Sequence, residues 1–109
     1  MTDYVAVLTR NYPGALWRMD GDDYAGLTWL SDGDAPTRAE LDAAWPAVRD
    51  AVAWDRVRAE RDGLLAASDW TQVADAPVDQ QAWAIYRQKL RDIPQDFASP
   101  DDVVWPAAP

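Results

Sequence analysis

The chain has 109 residues and a formal net charge of −9, with no cysteine and no histidine. Those absences exclude disulfides, thiolate nucleophiles, histidine acid–base chemistry and the usual zinc ligand sets, and the acidic balance argues against a nucleic-acid footprint. Half of the residues are hydrophobic, but many are alanine; seven tryptophans and four tyrosines supply the large apolar area, since each buried aromatic removes roughly 150–250 Å² from water.

The first segment, DYVAVLTRNYPG, places Tyr4, Val5, Leu8 and Tyr12 at helical spacing, and Asp3 or Thr2 is a suitable cap; a strand over YVAVLT is the alternative, because Val and Tyr favour strands. Pro13-Gly14 stops it. No basic n-region or long apolar run marks a signal peptide here, and no stretch of the chain approaches the roughly 18 apolar residues of a membrane span. Next, Leu16–Met19 and the alternating run Tyr24–Leu30 read as two strands around an Asp20-Gly21 turn. A lone hairpin is marginal in water, so this one must pack on a helix or on another chain. The aspartates of DGDD lack the distal glutamate and the spacing of a calcium loop, and they read as a polar turn.

Thr37-Arg38-Ala39-Glu40 has the form of a capping box. Leu41, Trp45, Val48 and Val52 follow as one apolar stripe. It either packs on the hairpin or joins helices of a homo-oligomer. Pro46 interrupts this helix and predicts a kink or short break near Trp45, with helix resuming to about Ala67. Residues 68–79 form a polar connection. Ser68 beside Asp69 has no histidine to activate it and reads as a turn or cap residue. Asp79 caps a last helix from 80 to about 92, with Trp83, Tyr86, Leu90 and Ile93 on one face. Arg87, Lys89 and Arg91 fall in its last turns, and Pro94 ends it by pushing Ile93 towards extended geometry.

The Trp83–Tyr86–Leu90–Ile93 face reads as core. Arg87 and Arg91 flank it, and their simplest role is to clamp the Trp70 loop through Asp69, Asp75, Asp92 or Asp96. The alternative is a partner's carboxylate held in a bidentate grip. The tail, QDFASPDDVVWPAAP, is extended and Pro-rich. Val103, Trp105 and Pro106 either fold back on the domain or dock on another protein.

From Arg61 to Pro109 the motifs come in a specific order. They are Arg61-Asp62 with Leu64-Leu65; then Asp69, Trp70, Thr71 and Gln72. Trp83, Tyr86, Arg87, Gln88, Leu90, Arg91, Asp92, Ile93 and Pro94 follow, and Trp105-Pro106 closes the series. This run resembles the phage tail assembly chaperone family. One departure is Val73-Ala74-Asp75, where that family more often carries a Leu-Pro-Asp-type turn. The resemblance implies a non-enzymatic accessory that binds a tail-fibre or tail-tip structural protein in the host cytoplasm, or a permanent adaptor in the virion tail. With the composition and charge above, no cofactor, metal, nucleic acid or membrane is expected.

The expected fold is α+β: a short N-terminal helix, a β-hairpin, a long kinked helix, a second helix antiparallel to it and an extended tail. Residues 1–36 form the helix and hairpin module, 37–67 the long helix and 68–109 the motif-bearing segment, all in one compact domain. With the helical aromatics used internally, Trp17, Tyr24 and Trp29 of the hairpin and Val103, Trp105 and Pro106 of the tail are the expected partner-binding residues.

Overall fold

A computed structural model of the chain describes residues 1–109. Helix α1 (Tyr4–Asn11) is followed by strands β1 (Trp17–Met19) and β2 (Leu27–Trp29), the long helix α2 (Arg38–Ala67) and helix α3 (Gln80–Asp96). Short 3₁₀ turns lie at Tyr24–Gly26, Asp69–Gln72 and Pro100–Asp102. The architecture is α+β. The chain divides into two compact units, Met1–Ala51 and Val52–Pro109, and the division falls inside α2.

In the first unit, Asp3 caps α1 by accepting from the Ala6 N–H at 3.0 Å. The helix closes with the Tyr12 N–H on the Leu8 carbonyl, and Gly14 then turns the chain with φ of 84°. The strands pair antiparallel with Trp17 opposite Trp29 and Met19 opposite Leu27. The period of two puts these four side chains on the half-buried face and leaves Arg18 and Thr28 exposed. Trp29 meets Tyr12 edge-on, ring centroids 6.1 Å apart, and Tyr24 meets Tyr4 at 6.0 Å. The hairpin thus gains the helical support that a two-stranded ribbon needs. Tyr4, Val7, Leu8, Leu41 and Val48 are the buried apolar residues of this unit.

The second strand is shorter than its alternation predicts. Tyr24–Gly26 curls into a 3₁₀ turn because the Gly26 N–H donates to the Asp23 carbonyl at 2.9 Å. The Asp20 N–H then donates to the Gly26 carbonyl at 3.0 Å, so Asp20 to Gly26 all belong to the connection. Gly26 is required by contact: a Cβ there would stand 1.9 Å from the Asp20 carbonyl oxygen. Gly26→Ala must displace backbone, and a loss of about 2 kcal/mol is expected, read as a lower urea midpoint for the first unit.

The capping residue of α2 is Thr37, whose hydroxyl accepts from the Glu40 N–H at 3.1 Å. Asp42, one turn in, accepts from the Tyr4 hydroxyl at 2.8 Å and lies 3.9 Å from Arg38. Hydrogen bonds from Thr2 and Tyr4, with Arg38 alongside, hold the Asp42 carboxyl below its ordinary range. A depressed folded-state pKa gives stabilisation that is complete above the ordinary carboxylate range and is lost as pH falls through the lowered value. Asp42→Asn is therefore expected to flatten the acid limb of the first unit's stability profile, measured by urea denaturation at a series of pH values.

Of the kink or short break expected near Trp45, the break does not occur: α2 is helical throughout Arg38–Ala67, with Pro46 inside it. One lost backbone bond is outweighed by the packing of Leu41 and Val48 on either side of it, both buried. Nor does Pro94 end α3. The helix runs on to Asp96 and closes with the Phe97 N–H on the Ile93 carbonyl at 3.3 Å. Ile93 is buried in the core, and that burial holds it helical against the bias a following proline imposes. Arg87 and Arg91 accordingly sit in the body of α3, not in its last turn.

In the second unit, α3 returns antiparallel to the C-terminal part of α2. Asp79 caps it by accepting from the Ala82 N–H at 3.1 Å. Tyr86, Leu90 and Ile93 form the core, with Trp54, Val57, Leu64 and Leu65 from α2 packed against them. Trp83, Phe97, Val103 and Trp105 cover the rest, so the tail folds back onto its own unit.

Candidate functional site

The Asp-Trp-Thr-Gln turn is held by a network of polar contacts. Ser68, just past α2, is buried and donates its hydroxyl to the Leu64 carbonyl at 2.8 Å. Arg87 reaches it from α3. Its Nη1 donates to the Leu65 carbonyl at 2.6 Å and to Ser68 Oγ at 2.7 Å, and its Nη2 to Asp69 Oδ1 at 2.7 Å. The guanidinium thereby ties the frayed end of α2, where carbonyls lack helical partners, to the start of the turn. Arg87 is only 8% exposed. Of the two arginines, Arg87 alone makes this clamp; Arg91 donates to Gln88 Oε1 at 3.2 Å.

The far side of the turn is held as firmly. The Thr71 side chain is fully buried and donates its hydroxyl to the Ser68 carbonyl at 2.6 Å. Gln72 Nε2 donates to Thr71 Oγ1 at 3.1 Å and to the Gln80 carbonyl at 3.3 Å. Gln80, at the first position of α3, returns its own amide to the carbonyls of Thr71 and Val73. The Val73-Ala74-Asp75 segment closes as a turn through the Ala76 N–H on the Val73 carbonyl at 3.2 Å.

This bracing leaves Trp70 outside. The indole is 51% exposed, as is Val73. Trp70 leans on Trp83 with centroids 6.4 Å apart, and Trp83 meets Tyr86 edge-on at 5.6 Å. A row of three rings thus runs from the surface to the core. The segment Asp69–Asp79 carries three carboxylates and no lysine or arginine. No group of three or more acidic side chains converges with metal-binding geometry.

The fold brings together Asp69, Trp70, Thr71, Gln72, Trp83, Tyr86 and Arg87, and Tyr86 and Trp83 join this group to Leu90, Ile93, Val103 and Trp105 in the core. Asp92 is engaged elsewhere, accepting from Gln88 Nε2 at 2.9 Å. The hairpin residues are each engaged within the first unit. Trp17 and Trp29 face inward across the ladder, and the Tyr24 hydroxyl donates to the Pro36 carbonyl at 2.6 Å. Val103, Trp105 and Pro106 are half-buried. Gln80 is the member that sequence reasoning missed. Its only signal was its place directly after the Asp79 cap, where a side chain can reach back to the preceding loop.

A family model described as phage tail assembly chaperone protein matches residues 54–109. The chain belongs to this family. The match begins within two residues of the start of the second unit and covers the whole braced turn, α3 and the tail. No curated protein and no solved structure matches the chain. A phage tail assembly chaperone has its role in building the tail. No helix of this one is long and apolar enough to cross a membrane.

Proposed function

We propose that this phage tail assembly chaperone works without catalysis, binding a tail-fibre or tail-tip structural protein in the host cytoplasm while the tail is built. The observation that carries the reading is the family match over a unit whose polar network fixes a turn and leaves aromatic surface outside. Rigid, half-exposed aromatics are what a binding surface uses, because little side-chain freedom remains to be lost on association. Trp17, Tyr24 and Trp29 of the first unit and Val103, Trp105 and Pro106 of the second are half-buried, each within its own unit, and they stay as further candidate contacts of the partner.

Capture of a tail-fibre or tail-tip protein of the same phage by the purified chaperone is the expected result; capture of none of them overturns the reading. Mass spectrometry of purified particles then sorts transient from permanent association. Absence from the particle fits an assembly factor, and stoichiometric presence makes the protein a structural adaptor.

A further inference from the structure

We propose that Trp70 and Val73 anchor a docking surface for an apolar peptide segment flanked by lysine or arginine. This rests on the reading of the protein as an assembly factor and specifies the partner's chemistry. Three observations carry it.

The first is exposure. Trp70 and Val73 are the large apolar side chains of the turn, and each leaves about half its surface in water, 51% in both cases. The core does not need them there: Tyr86, Leu90 and Ile93 are already covered by residues of α2 and the tail. The second is rigidity. Arg87, Ser68 and Asp69 hold one side of the turn, and Thr71, Gln72 and Gln80 hold the other. Trp83 supports the indole from beneath. An anchored tryptophan of this kind is typical of the few residues that dominate an interface.

The third is charge, and it selects the occupant. Asp69, Asp75 and Asp79 lie on the same segment as the anchor, and no lysine or arginine lies between residues 69 and 79. The Asp69 side chain stays 68% exposed even while paired to Arg87, and Asp75 is exposed. An apolar anchor in an acidic rim attracts cationic flanks and repels anionic ones. A second copy of the chain, with a net charge of −9, would bring like charge against this rim, and a nucleic acid would bring phosphates. A basic-flanked segment of a tail protein satisfies both the ring and the rim.

The test uses the full chain and short overlapping peptides tiled through the tail-fibre and tail-tip proteins of the same phage. The bound tiles are expected to carry apolar residues between lysines or arginines. Trp70→Ala and Val73→Asp are expected to weaken those tiles by about tenfold or more. Asp75→Lys, an exposed change with the core untouched, is expected to weaken them too, and added salt to do the same. Thermal melts of each variant separate lost binding from lost folding. Undiminished binding in all three variants overturns the proposal, as do bound tiles with acidic flanks. Capture of a whole tail protein with no tile bound also overturns it, while the assembly role stands. If neither a tile nor a whole tail protein is bound, both readings fall.

Discussion

Leu90→Ala is expected to lower the stability of the second unit by about 3 kcal/mol, within the range for removing a buried leucine side chain. Leu90 has no exposed surface, and it clusters with Tyr86 and Ile93 in the core of that unit. A unit spanning Val52–Pro109 has few other buried residues to absorb the cavity, and small domains are marginal to begin with. Leu90→Met keeps the volume and is expected to cost less than about 1.5 kcal/mol. Urea denaturation followed by far-UV circular dichroism measures both. An alanine variant as stable as the methionine one would mean that the α2–α3 layer is not what holds the unit together.

Arg87→Ala is expected to cost about 2 kcal/mol, and to do so through buried hydrogen bonds more than through charge. The Asp69 end of the clamp is mostly in water, where an ion pair contributes little. The bonds to the Leu65 carbonyl and Ser68 hydroxyl are shielded, and removing their donor takes one hydrogen bond from each. Asp69→Asn should consequently be mild, below about 1 kcal/mol. Arg87→Lys should fall between, because a single ammonium cannot replace a planar fork reaching three acceptors. Hydrogen exchange offers a local readout: Arg87→Ala should speed exchange at residues 68–73 before the core amides change. Equal effects of Arg87→Ala and Asp69→Asn would overturn the ranking of the two ends of the clamp.

Much of this architecture could be read from local chemistry. Asp3, Thr37 and Asp79 announce their helices because each offers a short side-chain oxygen to an amide three residues on. The stripe of Tyr86, Leu90 and Ile93 gives the core face of α3 by periodicity alone. What local chemistry could not give was the balance between a backbone preference and distant packing. Pro46 and Pro94 both carry a helix-breaking bias, and both lie inside helices because buried neighbours outweigh it. The extra length of the hairpin connection depends on Gly26 lying against the Asp20 carbonyl, a contact that alternation of side chains does not encode.

The candidate site shows the same division. The family-like motif marked Asp69, Trp70, Thr71, Gln72 and Arg87 as belonging together, but not which of them face water. Thr71, a polar residue, is buried, and Trp70, the largest side chain in the turn, is half outside. Helical periodicity does not apply across a four-residue 3₁₀ turn, so no spacing rule assigns its inner and outer faces. Arg58 gives a smaller instance: it lies over the Trp54 ring at 5.6 Å, a partner chosen by the ring's face as much as by charge.

The uninterrupted course of α2 past Ala51 bears on how the family-matched half could be isolated. There is no linker to cut. A chain severed at Val52 would begin with several amide donors stripped of the carbonyls that the preceding turn supplies. Starting one turn earlier, at Arg49, would place Asp50 just ahead of the exposed amides and lend the fragment a substitute cap. Autonomy of the C-terminal half is thus decided by the chemistry of a cut helix end as well as by the aromatic layer beneath it.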